Sequence, residues 1–217
     1  QLSSDLALIT VNFKLPNRKR QKMLHQIQEV DTQVFLALNG LHTPWADTFM
    51  YWVTQRNTWL PLYALLVIWL IWQYKQRAAG MIASLILTIV VADQTASTLL
   101  KPNIQRLRPC HVAYLQNKVH LVVESCGGTY GFASSHAANS FGLAMAVWLI
   151  CSTASPTFSK HKKYLWWFFP WAALVSYSRI YVGVHYPFDV LAGALIGCGA
   201  AYLSVWTVQK LLTLRMR

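Results

Sequence analysis

Lys101 and Arg108 stand seven residues apart in KPNIQRLRP, Ser134, Ser135 and His136 adjoin in GFASSHAANS, and Arg179, His185 and Asp189 follow one another in SRIYVGVHYPFDV. Side chains of these types could hold and cleave a phosphate ester. Lys101, Arg108 and Arg179 supply three cations, and an Arg can fork two donors onto phosphate oxygens. Ser134 and Ser135 add hydroxyls and amides at the start of an apolar run, where unpaired N–H groups and the helix dipole favour an anion. His136 and His185 offer a nucleophile and a general acid, and Asp189 can fix the tautomer of the attacking ring. Taken alone, each residue has a plainer role. Lys and Arg at span ends snorkel to headgroups, Ser134 caps a helix, Asp189 just after Pro187 is a first-turn acid, and an interfacial His is a hydrogen-bonded bystander. The plain roles do not explain why all eight lie at the ends of apolar segments that share one face.

That shared face follows from the charge pattern. Of 217 residues, 55% are hydrophobic and 12% charged, and 19 Lys+Arg against 7 Asp+Glu give a net charge of +12. So apolar a chain is neither disordered nor an ordinary soluble domain. Its basic residues sit between apolar blocks and build no basic helix or aromatic-laced patch, which sets nucleic acid aside. Apolar runs cover 57–74, 78–100 (interrupted by Asp93), 135–153, 164–179 and 190–209. About 20 helical residues cross a bilayer, so these runs predict an all-α polytopic membrane bundle of five spanning helices, six if 31–53 also crosses. Lys75 and Arg77 follow the first span, Lys160, Lys162 and Lys163 the third, and Lys210, Arg215 and Arg217 the fifth. The positive-inside rule puts those connections in the cytoplasm and the three polar clusters together outside.

The remaining residues sort around this bundle. Residues 1–22 form a basic N-terminal segment, with Lys14, Arg18, Lys19, Arg20 and Lys22, ahead of a single membrane domain over 23–217. Within it, 23–54 reads as two short amphipathic helices at the interface, broken near Gly40 to Pro44 and lying on the surface. The seven carboxylates are too few and too scattered for a two-metal site, and no HExxH or CxxC motif is present, so neither metal nor cofactor is expected. Cys110 and Cys126, in the long outer loop, form either a disulfide or two free thiols. Cys151 and Cys198 read as small core residues. Asp93 within a span requires a partner, and a structural hydrogen bond is the expectation. Arg106, His111 and His120 read as loop surface, with Arg106 near enough to be a secondary phosphate contact.

These clusters resemble the ordered signature KxxxxxxRP, PSGH and SRxxxxxHxxxD of the type 2 phosphatidic acid phosphatase family, which shares its active site with vanadium haloperoxidases. Lys101 to Pro109 match the first part and Ser178 to Asp189 the third. Ala133, Ser134, Ser135 and His136 match the second in part, with Ala in place of Pro and Ser135 in place of Gly. The resemblance implies that His185 attacks phosphorus and forms a phosphohistidine, that Asp189 orients His185, and that His136 protonates the leaving oxygen. It implies that Lys101, Arg108, Ser134, Ser135 and Arg179 stabilise the phosphate oxygens. The expected protein is thus a metal-independent lipid phosphatase in a bacterial inner membrane, multi-pass, with its active site facing the periplasm and a membrane lipid phosphate as partner.

Undecaprenyl diphosphate is the first expectation for substrate, with phosphatidate, phosphatidylglycerol phosphate and lipid A phosphate as alternatives, and Leu115 with Val119 to Val123 lining its approach. A soluble haloperoxidase is disfavoured by the spans. A non-catalytic lipid-phosphate binding or transport protein could use the same basic pocket.

Overall fold

The computed structural model describes residues 18–154 and 165–215. Most of the basic 1–22 segment, and Lys160, Lys162 and Lys163, on which the expected topology partly rests, lie outside them. Among the described residues the chain is helical, with one isolated bridge, Leu107 to Tyr130, and no strand. The helices are α1 (Arg18–Asn39), α2 (Pro44–Thr54), α3 (Leu60–Tyr74), α4 (Ala78–Asp93), α5 (Lys101–Ile104), α6 (Ser135–Ala154), α7 (Phe168–Tyr181) and α8 (Pro187–Arg215). The five apolar runs are helical over most of their described length, the fourth from Phe168 onward. The helical run Arg56–Ile104 and the segment Pro187–Thr213 are long and apolar enough to cross a membrane.

Local chemistry explains the boundaries. Pro occupies the first turn of α2, α3, α5 and α8, where its missing N–H costs nothing. Between α4 and α5 the backbone widens into π-helical turns over Gln94–Leu100, directly ahead of Lys101. Such turns concentrate at functional sites because they re-aim the side chains that follow.

α6 is the central helix and packs on α4, α7 and α8. Leu66, Leu70, Leu85, Leu143, Val147, Ile150 and Val205 join α3, α4, α6 and α8 in one apolar core. Gly142 on α6 faces Gly197 on α8; a Cβ at Gly197 would collide with the backbone of α6, and one at Gly142 would lie 3.2 Å from Gly197 O. Small residues are what bring helix backbones together in lipid, where burial drives little. Polar links run through the same layer: Asn139 Nδ2 on α6 donates to Asp93 Oδ1 on α4 at 3.1 Å. Asp93 therefore has the structural hydrogen bond expected of it.

The N-terminal helices correct the sequence reading. They break between Asn39 and Pro44 as expected, yet α1 is no surface helix. Asp31, Phe35 and Asn39, spaced four residues apart, form a stripe that is fully buried. Phe35 packs with Leu115, Ala137, Ile180, Tyr186 and Val190. Asn39 Nδ2 donates to the carbonyls of His120 (2.9 Å) and Tyr181 (2.7 Å), and its Oδ1 accepts from His120 N (2.8 Å). α1 thus pins the loop between α5 and α6 onto the end of α7. The signal was missed because the outward side of α1 is also apolar, with Met23, Ile27, Val30 and Val34 exposed.

The loop between α5 and α6 is a packed cap. Cys110 and Cys126 are paired as a disulfide, with Cα atoms 6.3 Å apart. Leu115 is 1% exposed and Val119 packs beside it, while Val122 and Val123 pack with Tyr181, Val182 and Val184. Within the stretch expected to line the substrate's approach, Leu115 is loop core, Val119, Val122 and Val123 are partly buried, and Leu121 is 41% exposed.

Candidate active site

The third cluster forms around one tight turn. α7 ends at Tyr181, and Gly183 takes a φ of +84° where an added Cβ would meet His120 O at 2.7 Å. The turn folds back so that the amides of Val184 and His185 both donate to Arg179 O, at 3.1 and 3.2 Å. Four residues on, Asp189 lies in the first turn of α8, and its Oδ2 is 3.5 Å from His185 Nδ1. Both side chains are buried. That Oδ2 also accepts from Tyr186 N at 3.0 Å, so the carboxylate is held on the side that faces the ring.

The second cluster docks onto the third through the backbone: Ser134 N donates to Asp189 O at 2.9 Å. Ser134 Oγ caps the helix by accepting from Ala137 N at 3.5 Å, and Ser134 itself is 0% exposed. The Ser134 amide is thus engaged in the scaffold, while its hydroxyl, an acceptor in this cap, keeps its O–H to donate. The open first turn of α6 belongs to Ser135 and His136, whose amides precede the first intrahelical donor. Ser135 Oγ accepts from Lys101 Nζ at 2.8 Å and lies 2.8 Å from Ser97 Oγ, so it ties α6 to the π-helical segment and to the first cluster.

The first cluster is extended around the Leu107–Tyr130 bridge, where Arg108 N donates to Thr129 O (3.2 Å) and Gly131 N to Arg106 O (2.8 Å). Residues flanking a bridged position point to one side, and both arginines turn inward. Arg108 donates to the carbonyls of Cys126 (2.7 Å) and Tyr130 (3.3 Å). Arg179 donates to Thr54 Oγ1, while its Nε is buried without a protein partner. The hydrogen-bond partners of Lys101, Arg108 and Arg179 are therefore all neutral, and the three cations lie near enough to repel one another. Such a group of unneutralised, partly buried charges suits an oxyanion. His136 lies within the field of Lys101, Arg179 and His185.

Burial, reinforced by Arg179 and Arg108 against the pull of Asp189, lowers the His185 imidazole to about 4. The ring is thus neutral at physiological pH, with a lone pair available for attack.

Gly131 abuts this pair. A Cβ there would lie 3.0 Å from Asp189 Oδ2, 3.3 Å from Arg108 Cγ and 3.5 Å from His185 Nδ1. The sequence offered no sign of this contact, since Gly131 opens the second cluster but carries no side chain to suggest a role.

Arg106 is the larger surprise. Expected on the loop surface or beside the phosphate, it is mostly buried, and its guanidinium bridges two acids: Nη1 to Asp189 Oδ1 at 2.7 Å and Nη2 to Asp31 Oδ2 at 2.6 Å. It also lies over the Tyr186 ring, 4.1 Å from the centroid. Burial alone would weaken its proton hold, but Asp189 and Asp31 outweigh that and raise it further. His120 likewise leaves the surface category, with Nε2 3.0 Å from Asp47 Oδ1 and its ring stacked on His42. His42, Asp47 and His120 could hold a cation, their ligating atoms lying within 4.8 Å of one another, outside the anion site.

His136 and Ser135 also line a cavity of about 610 Å³ that runs between α3 and α4. Its walls are Trp59, Tyr63, Leu66, Val67, Leu85, Ile86, Ile89 and Val90, with Arg56 and Gln55 at one end. That volume is in the range of small-molecule sites.

The PAP2 superfamily pattern matches residues 77–212. A protein of Bacteroides thetaiotaomicron named lipid A 4'-phosphatase is 38% identical over 192 residues, covering 87% of this chain and 81% of its own length. One of the same name from Porphyromonas gingivalis is 32% identical over 175 residues, 80% of this chain and 71% of its own. An undecaprenyl-diphosphatase of Sulfolobus acidocaldarius is 32% identical over 173 residues, 78% of this chain and 70% of its own. Among solved structures, a transmembrane PAP2 type phosphatidylglycerolphosphate phosphatase from Bacillus subtilis superposes with a TM-score of 0.66 at 22% identity, covering 96% of both chains. Aquifex aeolicus LpxE does so with a TM-score of 0.55 at 26% identity, covering 80% of this chain and 93% of its own. On the match over 77–212 and these relatives, the chain belongs to the PAP2 superfamily.

Proposed function

We propose that this protein is a membrane lipid phosphatase that removes a phosphate monoester from a lipid A-type glycolipid at the outer leaflet. The observation that carries the reading is the position of His136, between the cluster of cations and the apolar cavity. The general acid must stand beside the leaving oxygen, so the leaving group lies on the cavity side, and those walls suit an acyl or prenyl chain.

The chemistry then runs through residues already in place. His185 Nε2 attacks phosphorus, the P–O bond to the lipid breaks, and its electron pair goes to the lipid oxygen, which takes a proton from His136. Asp189 holds the His185 ring and balances its positive charge. Lys101, Arg108, Arg179 and the open amides of Ser135 and His136 carry the charge on the equatorial oxygens. Water, deprotonated by His136, next attacks phosphorus, and the P–N bond electrons return to His185 with release of phosphate. The cations supply the electrostatic stabilisation that a metal gives other phosphatases, so the reaction is proposed to be metal-independent.

Lipid A is preferred over the polyprenyl diphosphate first expected because the relatives at 38% and 32% identity that cover most of the chain carry that name. The undecaprenyl-diphosphatase at 32% identity keeps a polyprenyl diphosphate as the second reading. The test is phosphate release by purified protein in detergent from lipid A, undecaprenyl diphosphate, phosphatidylglycerol phosphate, phosphatidate and a water-soluble sugar phosphate. Lipid A is expected to turn over fastest. Faster release from undecaprenyl diphosphate would transfer the assignment to it. Equal rates with the water-soluble phosphate would remove the role of the cavity, and no release from any of them would leave a binding protein.

A further inference from the structure

We propose that Asp31 and Arg106 form a positioning pair for the nucleophile, through which the N-terminal helix α1 orients Asp189 and hence His185. The inference rests on the phosphatase reading above. Among Lys101, Arg106, Arg108 and Arg179, Arg106 alone forms ion pairs with acids. Arg108, Arg179 and Lys101 donate to carbonyl or hydroxyl oxygens, which leaves their charge for an anion. Arg106 is neutralised by Asp31 at 2.6 Å and Asp189 at 2.7 Å, both fully buried, and has no charge to spare for phosphate.

The bridge has a defined effect on Asp189. Its Oδ1 receives Arg106 and its Oδ2 receives the Tyr186 amide, so neither oxygen can rotate away from His185. Arg106 is fixed in turn by Asp31, whose other oxygen accepts from Phe188 N at 3.0 Å. Phe188 precedes Asp189, so Asp31 holds both the side chain and the backbone of the first turn of α8. The two acids and one guanidinium leave one net negative charge in the cluster, which is what an attacking imidazole needs as it becomes cationic. Were Arg106 absent, two buried carboxylates would face each other and one would take up a proton, costing Asp189 the charge it offers His185.

The test separates orientation from anion binding. Asp31→Asn keeps the shape and an oxygen for Phe188 N while removing the charge. It is expected to lower kcat about 10-fold with KM and vanadate affinity unchanged within twofold, vanadate reporting the anion site directly. Arg106→Lys keeps a charge but cannot fork to both acids. It is expected to lower kcat about 100-fold, the scale of an ångström-sized misplacement, again with vanadate affinity retained. The double variant is expected to be no slower than Arg106→Lys, since the two residues act as one unit. A tenfold loss of vanadate affinity in either variant would make Arg106 a phosphate ligand and overturn the proposal, as would full kcat in Asp31→Asn. Retained vanadate affinity also shows that the variants fold, and should Arg106→Lys not accumulate, Asp31→Asn decides alone. Failure of the phosphatase reading is seen separately, as a wild-type protein that releases no phosphate or a His185→Ala variant that still does.

Discussion

A single methyl group at Gly131 tests the packing around the nucleophile. In Gly131→Ala the new Cβ would lie 3.0 Å from Asp189 Oδ2, where ordinary contact begins at 3.4 Å, so about 0.4 Å must be found. Asp189 cannot supply it by rotating, because Arg106 holds its other oxygen at 2.7 Å and Tyr186 N holds Oδ2 at 3.0 Å. The displacement therefore passes to the Asp189–His185 pair. If a misplacement of 1 Å costs roughly 100-fold, 0.4 Å corresponds to a loss of about 5- to 10-fold in kcat. The assay is phosphate release from a short-chain lipid phosphate in detergent, with kcat and KM fitted separately and folding followed by thermal melting. Gly128→Ala is the control, since nothing lies within 4 Å of a Cβ at that neighbouring glycine. The expected result is a slower Gly131→Ala with near-normal KM beside a normal Gly128→Ala. Wild-type turnover by Gly131→Ala would refute the idea that the Asp189–His185 geometry limits the rate.

Three further outcomes are expected. His185→Ala and His136→Ala should each remove phosphate release while the protein still extracts and melts like wild type; normal turnover in His185→Ala would discard the nucleophile. Activity should persist in EDTA and be inhibited by vanadate, and loss with chelator followed by recovery with a divalent ion would require a metal in the mechanism. With His185 lowered to about 4 from 6.5, the folded chain takes up this proton later than the unfolded chain. The unfolded state thus binds more protons between those pH values, and the residue costs stability as pH falls through that window. Wild type should accordingly lose more melting temperature than His185→Asn between pH 7 and 4.5, and equal losses would show that the ring is not held neutral.

Parts of this site were legible in the sequence because the chemistry imposed fixed spacings. Arg179, His185 and Asp189 lie on either side of a single turn, so their order in the chain carries their geometry. Lys101 to Arg108 is a similarly local unit. The five apolar segments were legible because a charge inside lipid is expensive and its absence is visible over 20 residues. What escaped was set by long-range pairing. Asp31 reaches Arg106 across 75 positions, and on a helix apolar on both sides its burial leaves no mark in the pattern. Arg106 looked like any loop arginine because its two partners come from α1 and α8. Gly131 and the packed valines of the loop between α5 and α6 needed the cap to be folded before their neighbours could be known.

The partner chemistry of the cations also accounts for the departure from the usual second motif. Where the family pattern has Gly, Ser135 places a hydroxyl 2.8 Å from both Lys101 Nζ and Ser97 Oγ. A neutral oxygen at that place satisfies the ammonium without cancelling its charge, whereas an acid there would have competed with the substrate phosphate for it. Ser135 also spans α6 and the π-helical segment, so the cation next to phosphate is aligned with the helix that carries His136. Backbone contact from Ser134 to Asp189 then aligns that same helix with the nucleophile. Two short links, one from each of adjacent serines, thereby tie the helix that carries His136, the proposed acid, to Lys101 and to Asp189 beside His185, the proposed nucleophile. In this reading the Ser134 amide is a register pin, the Ser135 hydroxyl holds the lysine, and phosphate meets Lys101, Arg108 and Arg179 together with the open amides of Ser135 and His136.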